Sequence, residues 1–184
     1  DCLYLYREFA SEALRILVPF TRSGTDEISV KSFMAALRVG LKKRYGGKVD
    51  HLRLITQELP PPEGGASRHF VLIYDSVPGG TGYLHELLAD GAKTLIHVIR
   101  LALEHIKECP CNADSEKDGC YRCVYQYRLG RDMANVSRDR ARAILEAIAG
   151  NLDQLEVVET VSKIDVNPHF DSELESKFIE SLRR

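Results

Sequence analysis

No stretch of this sequence approaches the ~18 consecutive apolar residues of a membrane-spanning helix, so no transmembrane segment is expected. Cysteine is sparse: five in 184 residues is far below the density of a disulfide-stapled scaffold. Net charge is almost absent, with 25 Lys and Arg against 27 Asp and Glu, a formal −2. Taken alone, that balance argues against a nucleic-acid partner. There is no internal repeat, no signal peptide and no initiator Met, since the chain opens at Asp1. We therefore expect a cytoplasmic piece of a longer polypeptide. At 44% hydrophobic and 28% charged, the composition excludes a disordered tail, a collagen-like fibre and a coiled-coil rod. The length is that of about one domain, enough to bury a core without staples.

Four of the five cysteines fall within fifteen positions: Cys109-Pro110-Cys111, eight residues, then Cys120-Tyr121-Arg122-Cys123. Two close pairs flanking a short polar loop can offer four thiolates to one tetrahedral ion. The second pair has the usual two-residue spacing, and the first is tighter. Gly119 precedes the second pair, where a tight turn would aim both sulfurs inward. A structural Zn²⁺ is the leading reading, with an iron–sulfur cluster and disulfides or unrelated thiols as the alternatives. A catalytic zinc deaminase is excluded, because its Pro-Cys-x-x-Cys and His-x-Glu elements are both missing. Four thiolates leave no open position for water, so the site is closed and structural. His105, four residues upstream, could replace one cysteine but reads better as flanking the preceding helix. Cys2 reads as a plain terminal residue.

Hydrophobic spacing predicts a mixed α/β fold: a small central sheet, packed helices and a four-cysteine knuckle. An entering segment ends as a strand before Pro19. Thr25-Asp26-Glu27 opens a helix with Ile28, Phe33, Leu37 and Leu41 inward, stopped by Gly46-Gly47. Leu52–Thr56 reads as a strand and Pro60–Gly65 as a loop. The continuous run Phe70–Tyr74 predicts a central strand buried on both faces. A long helix follows from about Thr81 to Glu108, broken near Asp90-Gly91, with Leu95, Ile96, Val98, Ile99, Ala102, Leu103 and Ile106 on one apolar face. Ser137–Ala149 is a further helix, with Ala141, Ile144, Leu145 and Ile148 inward. A last helix is expected from Ser172.

Between strand and helix lies Asp75-Ser76-Val77-Pro78-Gly79-Gly80-Thr81-Gly82-Tyr83, the place where phosphate loops occur. It lacks the Lys of a Walker A loop and the third Gly of a dinucleotide fingerprint. We read Gly79, Gly80 and Gly82 as a sharp turn for close helix–strand packing, with backbone contact to a nucleic-acid phosphate as the alternative. The small net charge also hides strong patterning. Lys31–Arg53 holds seven basic residues, among them Lys42, Lys43 and Arg44, against one acid. Arg122–Arg142 holds six arginines, including Arg122, Arg128 and Arg131, against two acids, with Tyr121, Tyr125 and Tyr127 interleaved. Residues 151–180 carry eight acids against two lysines. Clustered cations with aromatics suit nucleic acid, whereas solvated helix faces paired with local acids are the plain alternative.

Tyr74–Leu84, then Cys-x-Cys, then Gly119-Cys120-Tyr121-Arg122-Cys123 and Tyr127-Arg128, together resemble the zinc-binding C-terminal domain of bacterial superfamily 2 (DEAD/DEAH-type) helicases. Helicases of the mitomycin-repair and DISARM phage-defence types are of this kind. The resemblance covers roughly residues 50 to 145. It implies that Cys109, Cys111, Cys120 and Cys123 bind one zinc, and that the module supports DNA binding or domain assembly of an ATP-driven engine N-terminal to it. Its partners would be DNA and the helicase core domains of the parent polypeptide. ATP and Mg²⁺ would belong to the parent alone, because no Walker A loop or Asp-Glu-x-His box occurs here and no catalysis is expected of this chain. Where family members often carry Asn after Tyr-Arg, this chain has Leu129. Phe170–Glu180 resembles the opening helix of restriction-type nuclease domains fused to such helicases. The expected organisation is a helicase-associated zinc domain over 1–150 and an acidic helical extension over 151–184.

Overall fold

The computed structural model of the chain describes residues 8–17, 27–59, 68–126 and 133–152. Strands β1 (Ala13–Leu17), β2 (Leu52–Leu59) and β3 (Arg68–Asp75) form an antiparallel sheet in the order β1-β3-β2. Register sets the faces: Leu14 and Leu54 flank Ile73, while Ile16 and Thr56 flank Val71. This inner face packs on the helices, and Val71, Ile73 and Asp75 are fully buried. On the opposite face Phe70 and its partner Leu17 are buried, Leu72 and Tyr74 are half-buried, and Ile55 is 44% exposed. β3 is thus central, fully buried on its inner face and, on the outer one, buried at Phe70 but only half-covered at Leu72 and Tyr74, short of the full double burial its apolar run predicts. Among the described residues the helices lie against one face only, and strand alternation leaves every second side chain on the other.

Helix α1 (Glu27–Arg44) buries Phe33, Leu37 and Leu41 and ends before Gly46-Gly47. Ile28, expected with them, is 39% exposed. The four-residue spacing of the stripe runs back from Phe33 to Ser29, which leaves Ile28 about 100° off it. Helix α2 (Tyr83–Lys107) is interrupted where the sequence places a break: Ala89 is extended, and Asp90, Gly91 and Ala92 are left-handed. Beyond the break Leu95, Val98, Ile99, Ala102 and Ile106 are buried, with Ile96 and Leu103 partly so. Helix α3 (Arg138–Ala149) starts at Ser137, whose hydroxyl accepts the Arg140 N–H at 3.0 Å. Ala141, Leu145 and Ile148 are buried, Ile144 partly, and Leu152 joins the same core.

Two contacts lock the helices. Gly40 lets α1 approach α2 so closely that a Cβ there would lie 2.3 Å from the Val98 carbonyl oxygen. The buried Ser32 hydroxyl donates to Ile28 O at 2.5 Å and accepts the Ser137 N–H at 2.8 Å, pinning the start of α3 to α1. Cys2, Thr25, the Pro60–Gly65 loop, Arg128, Arg131, Leu129 and the acidic segment from 153, with its expected helix, lie outside the described residues.

Candidate metal centre and basic cleft

The sulfurs of Cys109, Cys111, Cys120 and Cys123 all lie within 4.8 Å of one another. Cys109 Sγ is 3.4 Å from those of Cys120 and Cys111, and Cys123 Sγ is 3.7 Å from those of Cys111 and Cys120. Four sulfurs at about 2.3 Å from one zinc would sit about 3.8 Å apart. The donor set therefore fits a single tetrahedral ion, and the span is too tight to enclose an iron–sulfur cluster. All four are free thiols. Burial pushes the Cys109 and Cys123 thiols up. Burial opposes ionisation of Cys120 too, but the Arg122 N–H and the neighbouring cysteines draw it down to about 7. Packed this closely, four thiolates need a cation between them.

The knuckle is held from both sides. A one-turn 3₁₀ helix, Pro110–Ala113, carries Cys111, and the Asn112 carboxamide donates back to the carbonyls of Ile106, Lys107 and Cys109 at 2.9 Å each, closing α2. His105 Nε2 donates to Arg122 O at 2.6 Å, so His105 braces the second cysteine turn. That turn aims its own N–H groups at sulfur: Cys120 N to Cys123 Sγ and Arg122 N to Cys120 Sγ, both 3.3 Å. Gly119, at φ 139°, allows it, since a Cβ there would meet Val124 at 2.8 Å and Tyr125 at 2.9 Å. From the other side Asp118 accepts the N–H of Arg138 on its carbonyl at 3.0 Å and that of Asp139 on its carboxylate at 2.9 Å. The buried Arg138 guanidinium donates to Cys111 O at 3.0 Å and reaches Cys111 Sγ at 3.6 Å, steadied by Asp139 at 3.0 Å.

Arg138 escaped the sequence reading, which counted it only within a basic segment. A signal was there. A cation at the first position of a helix opposes the positive end of the macrodipole, so it needs an anion close by.

In the glycine turn, Gly79, Gly80 and Gly82 all have positive φ. The donors that could cradle phosphate are taken by the chain's own carboxylates and, for the Gly79 and Gly80 N–H groups, by the carbonyls of Ala10 and Val77. Asp75 accepts the N–H groups of Val77 and Thr81 at 2.8 Å each and the Thr81 hydroxyl at 2.5 Å. Glu12 accepts the Gly82 N–H at 3.2 Å, and a Cβ on Gly80 would strike its side chain at 2.5 Å. Burial alone would raise the Asp75 carboxyl; the bonds from Thr81 and Val77 hold it below its ordinary value. The turn buckles β3 to α2.

The cations divide. Lys31 pairs with Glu27, Arg38 with Asp50, and Arg44 with Glu86 at 2.7 Å while lying over the Tyr45 ring. Lys42, Lys43 and Arg122, all exposed, come together on a cleft of about 500 Å³ beside the knuckle, walled by Tyr121 and Tyr125. Arg44 does not line it. No carboxylate partner is found for these three cations among the described residues.

The family model of the MrfA zinc-binding domain matches residues 33–124, half of the chain, with all four clustered cysteines inside the match. No curated protein matches. Among solved structures, the chain is similar to the DUF1998 helicase MrfA crystallised bound to DNA, at 17% identity and a TM-score of 0.50 over 74% of this chain. At that identity the likeness is one of fold. This chain accounts for 17% of that chain's length.

Proposed function

The chain belongs to the MrfA zinc-binding domain family, and from that premise we propose that it is the structural zinc module of an ATP-driven DNA helicase. Cys109, Cys111, Cys120 and Cys123 hold one Zn²⁺. The ion supplies cross-linking and charge neutralisation rather than chemistry, because four thiolates leave it no open position. The residues around it do the positioning: Asn112 and His105 tie the knuckle to α2, Asp118 and Arg138 tie it to α3, and Lys42, Lys43 and Arg122 are presented together at its edge. That meeting of a compact four-sulfur cluster with a predominantly basic rim carries the reading. DNA is contacted at this rim. ATP and Mg²⁺ act in the engine of the parent polypeptide, within DNA repair or phage defence in a bacterial cytoplasm.

Atomic emission on protein purified without chelator should find about one zinc per chain. Metal-free protein would overturn the zinc assignment. Changing Lys42, Lys43 and Arg122 to Glu should weaken DNA binding and flatten its salt dependence, and an unchanged slope would remove the rim from the interface. A second reading is a scaffold that docks helicase domains without DNA affinity of its own. It draws on the sheet's outer face, where Ile55 stands exposed between Arg53 and Gln57 of β2, and it predicts failed assembly rather than failed DNA binding.

A further inference from the structure

The rim cations and the tyrosines enclose one concavity, and its shape is informative. Phosphate contacts need only positive charge, whereas an unpaired base also needs an aromatic face to stack on. This cleft has a volume of about 500 Å³, within the roughly 300–1,000 Å³ of small-molecule sites. Its lining includes three cations: Lys42 and Lys43 on the last turn of α1, and Arg122 in the second cysteine turn. It also includes two aromatic rings: Tyr121 is 55% exposed and meets Tyr125 edge-on, ring centroids 6.3 Å apart at 74°. Asp50 also borders the cleft, but it faces the Arg38 guanidinium at 3.5 Å, so the balance stays positive. The knuckle fixes the geometry, since Tyr121 and Arg122 lie between two clustered cysteines and His105 holds the Arg122 carbonyl. Cations and a rigid aromatic edge on a nucleotide-sized hollow match a phosphate joined to a planar base.

We infer that this cleft takes one unpaired nucleotide of a single strand, its base against Tyr121 and Tyr125 and its phosphate between Lys42, Lys43 and Arg122. The inference rests on the DNA-contact reading above and sharpens it: the module grips single-stranded rather than duplex DNA. Base–aromatic stacking tolerates any sequence, which suits an engine that moves along a strand.

The test uses the zinc-loaded 184-residue chain and fluorescence anisotropy. The probes are an oligothymidylate of about 12 nucleotides, an abasic strand of equal charge, a duplex of the same length and an acidic peptide of matched charge. Oligothymidylate should bind about 5- to 150-fold tighter than the abasic strand, the factor expected from stacking one base. Tyr121→Ala should erase that difference and Tyr121→Phe should restore it, with zinc content unchanged in both. Equal binding of thymidylate and abasic strands, or a Tyr121→Ala variant that keeps the difference, would overturn the pocket. Should both strands and the duplex bind alike and Lys42→Glu weaken all three, the rim would still hold DNA while the pocket took no base. Binding of the acidic peptide as tight as that of the strand would overturn it in favour of a protein partner. Failure of every DNA probe would overturn this inference and the DNA-contact reading together.

Discussion

Arg138 offers the sharpest handle on the metal centre. Four thiolates and one Zn²⁺ carry a formal charge of about −2, and a half-buried anion of that size needs compensation. The Arg138 guanidinium supplies it, 3.6 Å from Cys111 Sγ and 3.0 Å from the carbonyl of the same residue. Arg138→Met keeps most of the side chain's volume and removes both the charge and the donors. Hydrogen bonds from a charged donor contribute roughly 1.5–3 kcal/mol, and the orphaned Cys111 carbonyl adds to the loss. At 1.4 kcal/mol per factor of ten, zinc affinity should fall about 10- to 100-fold, the span measured when outer partners of metal ligands are removed. Competition with a chromogenic zinc chelator at neutral pH reads this directly. Arg138→Lys, which keeps the charge but not the fork, should fall between the two. If Arg138→Met changed zinc affinity by less than about threefold with secondary structure intact, the proposed compensation would be refuted.

Other outcomes follow from the packing. Gly40→Ala gains about 1 kcal/mol of helix propensity but drives a Cβ to 2.3 Å from a backbone carbonyl that cannot swing aside. A net loss of about 1–3 kcal/mol is expected, seen as a melting temperature lower by several degrees, and a rise would show that α1 and α2 separate freely. Ser32→Ala leaves the buried Ser137 N–H without its 2.8 Å acceptor and should cost about 1–3 kcal/mol by urea denaturation. The Asp75 carboxyl, held below its ordinary value when folded, contributes stability that is full above its unfolded pKa of about 3.9. That contribution disappears as pH falls through the lower folded value, so acid unfolding of Asp75→Asn should lack this part of the slope.

Much of this molecule was legible in its sequence because the signals were local. The α2 break at Asp90-Gly91, the Ser137 cap and the four cysteines each show themselves within a few residues. So does the turn at Gly119, which nothing bulkier could occupy. What stayed hidden are meetings between polar groups far apart in the chain. Glu12 receives Gly82, seventy positions on, and Ser32 receives Ser137 across more than a hundred. Lys42 and Lys43 reach Arg122 through the crossing of α1 with the end of α2, which periodicity predicts as burial without predicting who faces whom. The helical stripe likewise predicts that α1 buries a face, while its first turn follows the four-residue spacing back from Phe33 to Ser29 and leaves Ile28 outside it.

The cysteine knuckle closes within fifteen residues, whereas β1 meets β3 only after about sixty. Loop-closure entropy and contact separation both set an order of events. A metal ion can cinch residues 109–123 early, between the end of α2 and the start of α3, before β1 has joined the sheet. The ion is then less a rivet placed in a finished structure than a seed on which the helical half condenses. Variants that loosen the sheet should accordingly speed unfolding more than they slow folding, and yet leave the chain charged with its metal.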